Sequence, residues 1–197
     1  MFSVFETYLK VYASFTNEEI ALIRSAVVER VIENKQRLLA PGDISRHYTF
    51  VSDGCLRTYR IDQSGTERIL DLAPVNYWAT EDISWAPVVP LTTFVEAVDD
   101  TAVIQLTGED YRSLRKRIPA FEQMYQRVTM EQRMRSAERV FSMVSNDAAS
   151  RYREFKLQFP NIYKHMPAYM IASYLGVARE TISRIRASER EEAEQKY

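Results

Sequence analysis

Cysteine and histidine are scarce in this chain of 197 residues, and each shortage removes a class of function. Cys55 stands alone, so there is no disulfide framework, no thiolate cluster and no four-cysteine iron–sulfur sensor, as expected of a reducing cytosol. His47 and His165 fall in separate predicted regions without a second His, Cys or carboxylate at ligand spacing, so neither a metal site nor a metal cofactor is expected. Long apolar runs are missing too. Nothing approaches the roughly 20 apolar residues of a membrane span, and Met1-Phe2-Ser3-Val4-Phe5 lacks the basic start and continuous apolar run of a signal peptide, so a cytoplasmic protein is expected. A formal charge of −1 argues against a chain that coats nucleic acid nonspecifically. Charge is instead segmental: Arg112 to Arg139 holds eight basic residues against three acidic, and Glu189 to Tyr197 four acidic against two basic.

What is present begins with helices. Phe2, Phe5, Leu9 and Tyr12 form one helical stripe, and Thr16-Asn17-Glu18-Glu19 reads as a capping box ahead of an apolar face of Ile20, Ile23, Ala26 and Val27. From about Val28 the period changes to two. Short runs rich in β-formers lie near residues 31–34, 38–39, 48–51, 55–61, 68–72, 92–98 and 101–106. Pro41-Gly42-Asp43, Ser52-Asp53-Gly54 and Asp62-Gln63-Ser64-Gly65 punctuate the first five at intervals of about eleven residues, a spacing that suits a small antiparallel barrel or jelly roll. Three of the five glycines sit at these turns. Thr107-Gly108-Glu109-Asp110 then caps a helix that carries Tyr111 and Leu114 inward.

Pro119 opens the longest predicted helix, running to about Val144. Met130, Met134, Ala137, Phe141 and Val144 repeat at 4-3-4-3, the seam of a helix that pairs with a twin, while Phe121, Met124, Tyr125 and Val128 extend the apolar surface upstream. Asn146 or Asp147 caps a following helix, Ala148 to about Gln158, with Tyr152 and Phe155 inward and Arg151, Arg153 and Lys156 outward as candidate phosphate contacts.

The last ordered stretch, Met166 to Arg186, reads as a helix-turn-helix. Ile171, Ala172 and Leu175 form one buried face, and Val177, Ile182 and Ile185 a second. Gly176 between them supplies the left-handed residue of a tight turn, Ala172 permits a close crossing, and Pro167 suits the first turn of the opening helix. Arg179, Glu180, Ser183 and Arg184 remain on the outer face of the second helix. An arginine fork pairs with the guanine edge, glutamate accepts from cytosine, and serine reaches a base edge or phosphate. Ala172-Ser173-Tyr174-Leu175-Gly176-Val177 followed by Arg179-Glu180-Thr181-Ile182-Ser183-Arg184 resembles the DNA-binding signature of the Crp/Fnr family of bacterial transcription regulators.

That resemblance implies an α+β chain: a cyclic-nucleotide-binding-like antiparallel β-roll or jelly roll with flanking helices over residues 1–118, a dimerisation helix over 119–145, and a helix-turn-helix domain over 146–197. It implies a non-enzymatic homodimer on a palindromic double-stranded DNA site, with Arg179, Glu180, Ser183 and Arg184 facing bases. Thr181, Arg186, Arg151 and Lys156 are then expected at phosphates, and RNA polymerase and an effector of unknown identity remain open as further partners. Cyclic-nucleotide binders of the family carry a phosphate cassette with two glycines, a glutamate and an arginine. Here Glu81 is in place, but Asn76 and Thr80 replace the glycines and Leu91 the arginine, so cyclic AMP is not expected as ligand. Trp78, Leu91 and Thr92 join Glu81 as the candidate effector pocket, and Trp78 reads equally as a core residue. After Arg186 only Ala187-Ser188 and a charged tail follow, which is expected to extend the helix in place of a β-wing. Two other readings stay open: a small-molecule-binding or interaction module whose helix-turn-helix is structural, and a cupin-like enzyme, for which the strands offer only His47.

Overall fold

Phe2, Phe5, Tyr8 and Leu9 give the first helix, α1 (Phe2–Tyr12), one fully buried face. The structure, a computed structural model, describes residues 1–79 and 91–194. Helix α2 (Asn17–Ala26) starts at the predicted capping box: Thr16 Oγ1 accepts from the Glu19 N–H at 3.2 Å, and the Thr16 N–H donates to Glu19 Oε2 at 2.8 Å. Val27, expected to close the apolar face of α2, instead opens the first strand.

Seven described strands follow: β1 (Val27–Ile32), β2 (Arg37–Leu39), β3 (His47–Asp53), β4 (Cys55–Ile61), β5 (Glu67–Pro74), β6 (Phe94–Ala97) and β7 (Thr101–Thr107). They form a three-stranded sheet, β1-β7-β3, and a four-stranded sheet, β2-β6-β4-β5. The period-two pattern explains how each side is used. Along β3 and β7, Phe50, Ile104 and Leu106 turn toward the helices, whereas Val51 and Val103 meet Leu56, Val95 and Ala97 of the other sheet. The β3–β4 turn needs a glycine for two reasons. Gly54 has φ +78°, and a Cβ there would lie 2.7 Å from the Asp100 carbonyl oxygen.

Four of the remaining five helices follow the predicted start signals. Thr107 caps α3 (Gly108–Arg117), Pro119 opens α4 (Pro119–Ser145), and Asp147 caps α5 (Ala148–Gln158) by accepting from the Ser150 N–H at 2.7 Å. Helix α7 (Arg179–Glu194) follows Gly176. Helix α6 (Ala168–Leu175) differs slightly: Pro167 is its extended N-cap, ψ 142°, and not a member of the first turn. The contacts divide the chain into two compact units. One holds Met1–Arg60 and the described residues of 71–133; the other holds Ile61–Leu70, the tip of the β4–β5 hairpin, and the described residues from Met134 on.

In the first unit an aromatic cluster joins α1, α3, α4 and β3. Phe5, Phe50 and Trp78 pack with ring centroids 4.8–5.7 Å apart, and Tyr111 stacks on Tyr48 at 3.7 Å. The second sheet carries a buried ion pair. Glu96 Oε1 accepts from Arg57 Nη2 at 2.7 Å and Nε at 3.2 Å, and Glu96 Oε2 accepts from the Tyr59 hydroxyl at 3.1 Å. Nearby Cys55 is fully buried, and burial, then the Asp99 carboxylate, pushes its thiol well above the ordinary value, which makes it a packing residue.

Removing one member of a buried pair leaves the other charge without its counter-charge, at a cost of about 3–5 kcal/mol. Glu96→Ala is therefore expected to lower unfolding free energy by that amount in urea titrations, whereas Glu29→Ala, at an exposed site, stays within about 0.5 kcal/mol of the parent.

Candidate nucleic-acid interface

The four aromatic and aliphatic residues Tyr152, Phe155, Phe159 and Met166 are buried with Met170, Ile171, Tyr174, Leu175 and Ile182, and this core positions α6 and α7. Helix α6 ends in a Schellman turn. Gly176 adopts φ 66°, ψ 38°, the Val177 N–H donates to the Ala172 carbonyl at 3.0 Å, and the Gly176 N–H reaches the Ser173 carbonyl at 3.4 Å. Ile182 is fully buried on α7, while Val177 and Ile185 are half-buried.

The opposite side of α7 is open. Arg179, Glu180, Ser183 and Arg184 are all exposed, and at about 100° per residue they span an arc of roughly 140°. Ser183 Oγ donates to the Arg179 carbonyl at 3.2 Å, and no bond among the described residues engages the side chains of Arg179, Glu180 or Arg184. Thr181 is half-buried, and its N–H donates to the Ala178 carbonyl at 3.1 Å. Helix α7 continues to Glu194, and no strand follows it among the described residues.

Three of the expected phosphate contacts have other work. Arg186 ties α7 to its neighbours: Nε donates to the Tyr152 hydroxyl at 3.0 Å, and Nη2 to the carbonyls of Tyr163 at 3.0 Å and Met166 at 3.3 Å. Arg151 Nη1 donates to the Leu175 carbonyl at 2.7 Å, and Lys156 pairs with Glu189. The Leu175 carbonyl lies in the last turn of α6, where carbonyls lack intrahelical partners, and Arg151 supplies its donor. Arg153 is exposed, with Nη2 3.0 Å from Ser150 Oγ.

Sequence reasoning missed two residues here. Ser173 Oγ accepts from the Ile69 N–H at 2.9 Å and donates to the Glu67 carbonyl at 2.9 Å, fastening the β4–β5 hairpin tip to α6. Arg139 bridges the same elements, donating to the carbonyls of Leu70, Ile69 and Tyr174 and lying 4.1 Å from the Tyr174 ring centroid. Their partners lie 35 or more residues away in sequence, so no local pattern announces them. The hairpin tip is itself ordered by Asp62, whose carboxyl is held well below its usual range by Ser64 and then Arg68.

Of the expected effector residues, Trp78, Leu91 and Thr92 are described, and each has other neighbours. Trp78 is a core residue, packed against Phe5, Phe50 and Tyr111 with its indole N–H on the Tyr8 hydroxyl at 3.2 Å. An indole gains more from burying its large face among aromatics than from lining a solvated cleft. Leu91 is half-buried and pairs through its backbone with Gly42 and Asp43, exposed Thr92 accepts from Arg60, and Glu81 lies outside the described residues. His47 is exposed at the start of β3, and no group of His, Cys, Asp and Glu among the described residues is placed to hold a metal ion. Among the described residues no helix is long and apolar enough to cross a membrane.

The expected pairing seam on α4 is exposed. Met130, Met134, Phe141 and Val144 are 59–83% accessible and Ala137 is exposed with them.

By sequence, no family model and no curated protein matches the chain. By structure, the chain has the fold of the Crp/Fnr regulators. FixK2 from Bradyrhizobium japonicum superposes with a TM-score of 0.71 at 15% identity, over 85% of this chain and 86% of that one. The c-di-GMP-responsive global regulator CLP of Xanthomonas campestris gives 0.68 at 11% identity, over 90% and 93%. A protein of Eubacterium rectale assigned to the Crp/Fnr family of transcriptional regulators gives 0.67 at 17% identity, over 90% and 85%.

Because Arg186 supports three bonds inside its own unit, Arg186→Ala is expected to cost about 1–3 kcal/mol of stability in urea denaturation. Arg184→Ala should stay within about 0.5 kcal/mol of the parent in the same titration. Equal, negligible effects would return Arg186 to the set of free cations.

Proposed function

We propose that this chain is a transcription regulator of the Crp/Fnr type that binds double-stranded DNA as a homodimer, with α7 as its recognition helix. The observation that carries the reading is the arc of Arg179, Glu180, Ser183 and Arg184: four side chains able to read base edges, all exposed on the first turns of a helix that follows a tight helix-turn-helix corner. A corner with a purely structural task has no need of that set. The shared fold supports the same assignment.

Within this reading, Thr181 and Arg153 are the candidates for phosphate contact, while Arg151, Lys156 and Arg186 mainly hold the reading unit together. The exposed seam of α4 pairs with its twin in a second copy. Two recognition helices about 34 Å apart would then read a palindrome. The roll serves as a diverged sensor that does not take cyclic AMP. Leu91 stands where a phosphate-binding arginine is required, and Asn76 and Thr80 stand for glycines whose backbone would approach the phosphate.

Selection of duplex DNA by the purified chain, without added ligand at near-physiological salt, should enrich a palindrome. Enrichment of a single half-site would overturn the dimer, and no enrichment in a protein shown to be folded would favour a sensor module with a structural helix-turn-helix. On the selected site, Arg184→Ala should weaken binding by about 1–3 kcal/mol and relax preference at one base pair of each half-site. An equal loss on random DNA would reassign Arg184 to the backbone.

The seam is tested separately. Phe141→Glu places a charge in an a/d position and should convert the dimer to a monomer in sedimentation while leaving the far-ultraviolet helix signal intact. A variant that still sediments as a dimer would mean that α4 does not form the interface.

A further inference from the structure

The second unit contains a pocket that the DNA-reading assignment leaves without a role. It has a volume of about 510 Å³, inside the roughly 300–1,000 Å³ of small-molecule sites. Its apolar wall is Met143, Phe155, Leu157 and Leu175, and Leu157 is 83% exposed, so the apolar surface continues to solvent. Arg139 and Arg151 also line it.

These two arginines are unusual in what they lack. Arg139 donates to carbonyls of Leu70, Ile69 and Tyr174, and Arg151 to the Leu175 carbonyl. Neither has a carboxylate partner among the described residues, and in each the Nε is buried with no hydrogen-bond acceptor. Their carbonyl partners Tyr174 and Leu175 are adjacent, which brings both guanidinia to the same end of α6. A guanidinium carries five N–H donors, of which these bonds use three on Arg139 and one on Arg151, and the natural complement of the rest is an anionic oxygen.

The other charged groups in the wall do not cancel this. Arg135 adds a third cation. Glu138 and Glu154 set two negative charges against the three of Arg135, Arg139 and Arg151, which leaves the wall net positive, and both carboxylates are exposed, where solvent screens them. The pocket also stays open in a dimer formed through α4. Arg139 and Ser142 stand roughly 120–180° around the helix from the Met130–Val144 seam.

We propose that this pocket binds a small organic acid, its carboxylate received by Arg139 and Arg151 and its apolar body laid against Phe155, Leu157 and Met143. The site does not rest on DNA reading: an acid that binds while DNA does not would leave this inference standing and remove the other.

The test is calorimetric titration of the full-length protein with octanoate and indole-3-acetate, beside their neutral counterparts octanol and indole-3-ethanol. The acids should bind at least about tenfold more tightly than the alcohols. Arg151→Gln should weaken the acids by a similar factor and leave the alcohols unchanged. Leu157→Glu, at an exposed position that folding does not need, should weaken the acids by setting a like charge at the mouth, and Phe141→Glu on the seam should change nothing. No heat with either acid, equal affinity for acid and alcohol, or acid binding lost in Phe141→Glu but kept in Leu157→Glu would overturn the site. So would an Arg151→Gln variant that loses affinity for DNA when the parent binds no acid, because the guanidinium would then be serving phosphate.

Discussion

The last four carbonyls of a helix have no partner within it, and how α6 satisfies them decides much of the second unit. The count closes completely. The Val177 N–H reaches Ala172, the Gly176 N–H reaches Ser173, Arg139 reaches Tyr174, and Arg151 reaches Leu175. Two backbone donors exist only because Gly176 takes the left-handed conformation, where an L side chain would pay about 1–2 kcal/mol. A Cβ at that position would also come within 3.1 Å of Met143 Cε. The two side-chain donors arrive from α4 and α5. An eight-residue helix is too short to be stable alone, so these ties, with the buried face of Ile171 and Leu175, supply what propensity cannot.

The same ties explain why α7 points as it does. Its buried Ile182 packs into the core that α6 closes, and Arg186, four residues later, forks onto Tyr152, Tyr163 and Met166. Cations at the C-terminal end of a helix are worth about 0.3–1 kcal/mol each at the surface, more when partly buried. In this chain Arg139 and Arg151 are used for such fastening, Arg186 holds the carbonyls of Tyr163 and Met166 between α5 and α6, and Arg179 and Arg184 remain open. Arginines of one composition are thus divided between holding the second unit together and facing outward from it.

That division marks where sequence reasoning stopped. Signals contained within one turn of chain were legible. The Thr16–Glu19 box, the caps at Thr107 and Asp147, Pro119 and the left-handed Gly176 each depend on residues no more than five apart, and each stands where its pattern places it. The alternation in β3 and β7 was equally readable. What local pattern did not settle was the role of Arg151, Arg186, Trp78 and Ser173, whose partners are distant in sequence. Arg151 and Arg186 look solvent-facing by helical period, yet carbonyls 24 and 23 residues away claim them. Trp78 sits beside a ligand-like stretch, but α1, far upstream, supplies its neighbours. Ser173 is a small polar residue in an apolar helix until the hairpin tip is seen against it.

Helix α4 shows the limit from the opposite direction. Phe121, Met124, Tyr125 and Val128 on its first half are buried within their own unit, whereas Met130, Met134, Phe141 and Val144 are not. Both sets read alike as apolar residues at helical spacing, and nothing local separates them. Scattered exposed apolar residues need no explanation, but with Ala137 these recur at 4-3-4-3 on one face, and burying such a face is worth roughly 25 cal/mol per Å². The buried Phe121, Tyr125 and Val128 share the 4-3 spacing, so period alone does not single out the seam, and its exposure does. The proposed twin helix therefore follows from periodicity and exposure together, and neither observation would suffice alone.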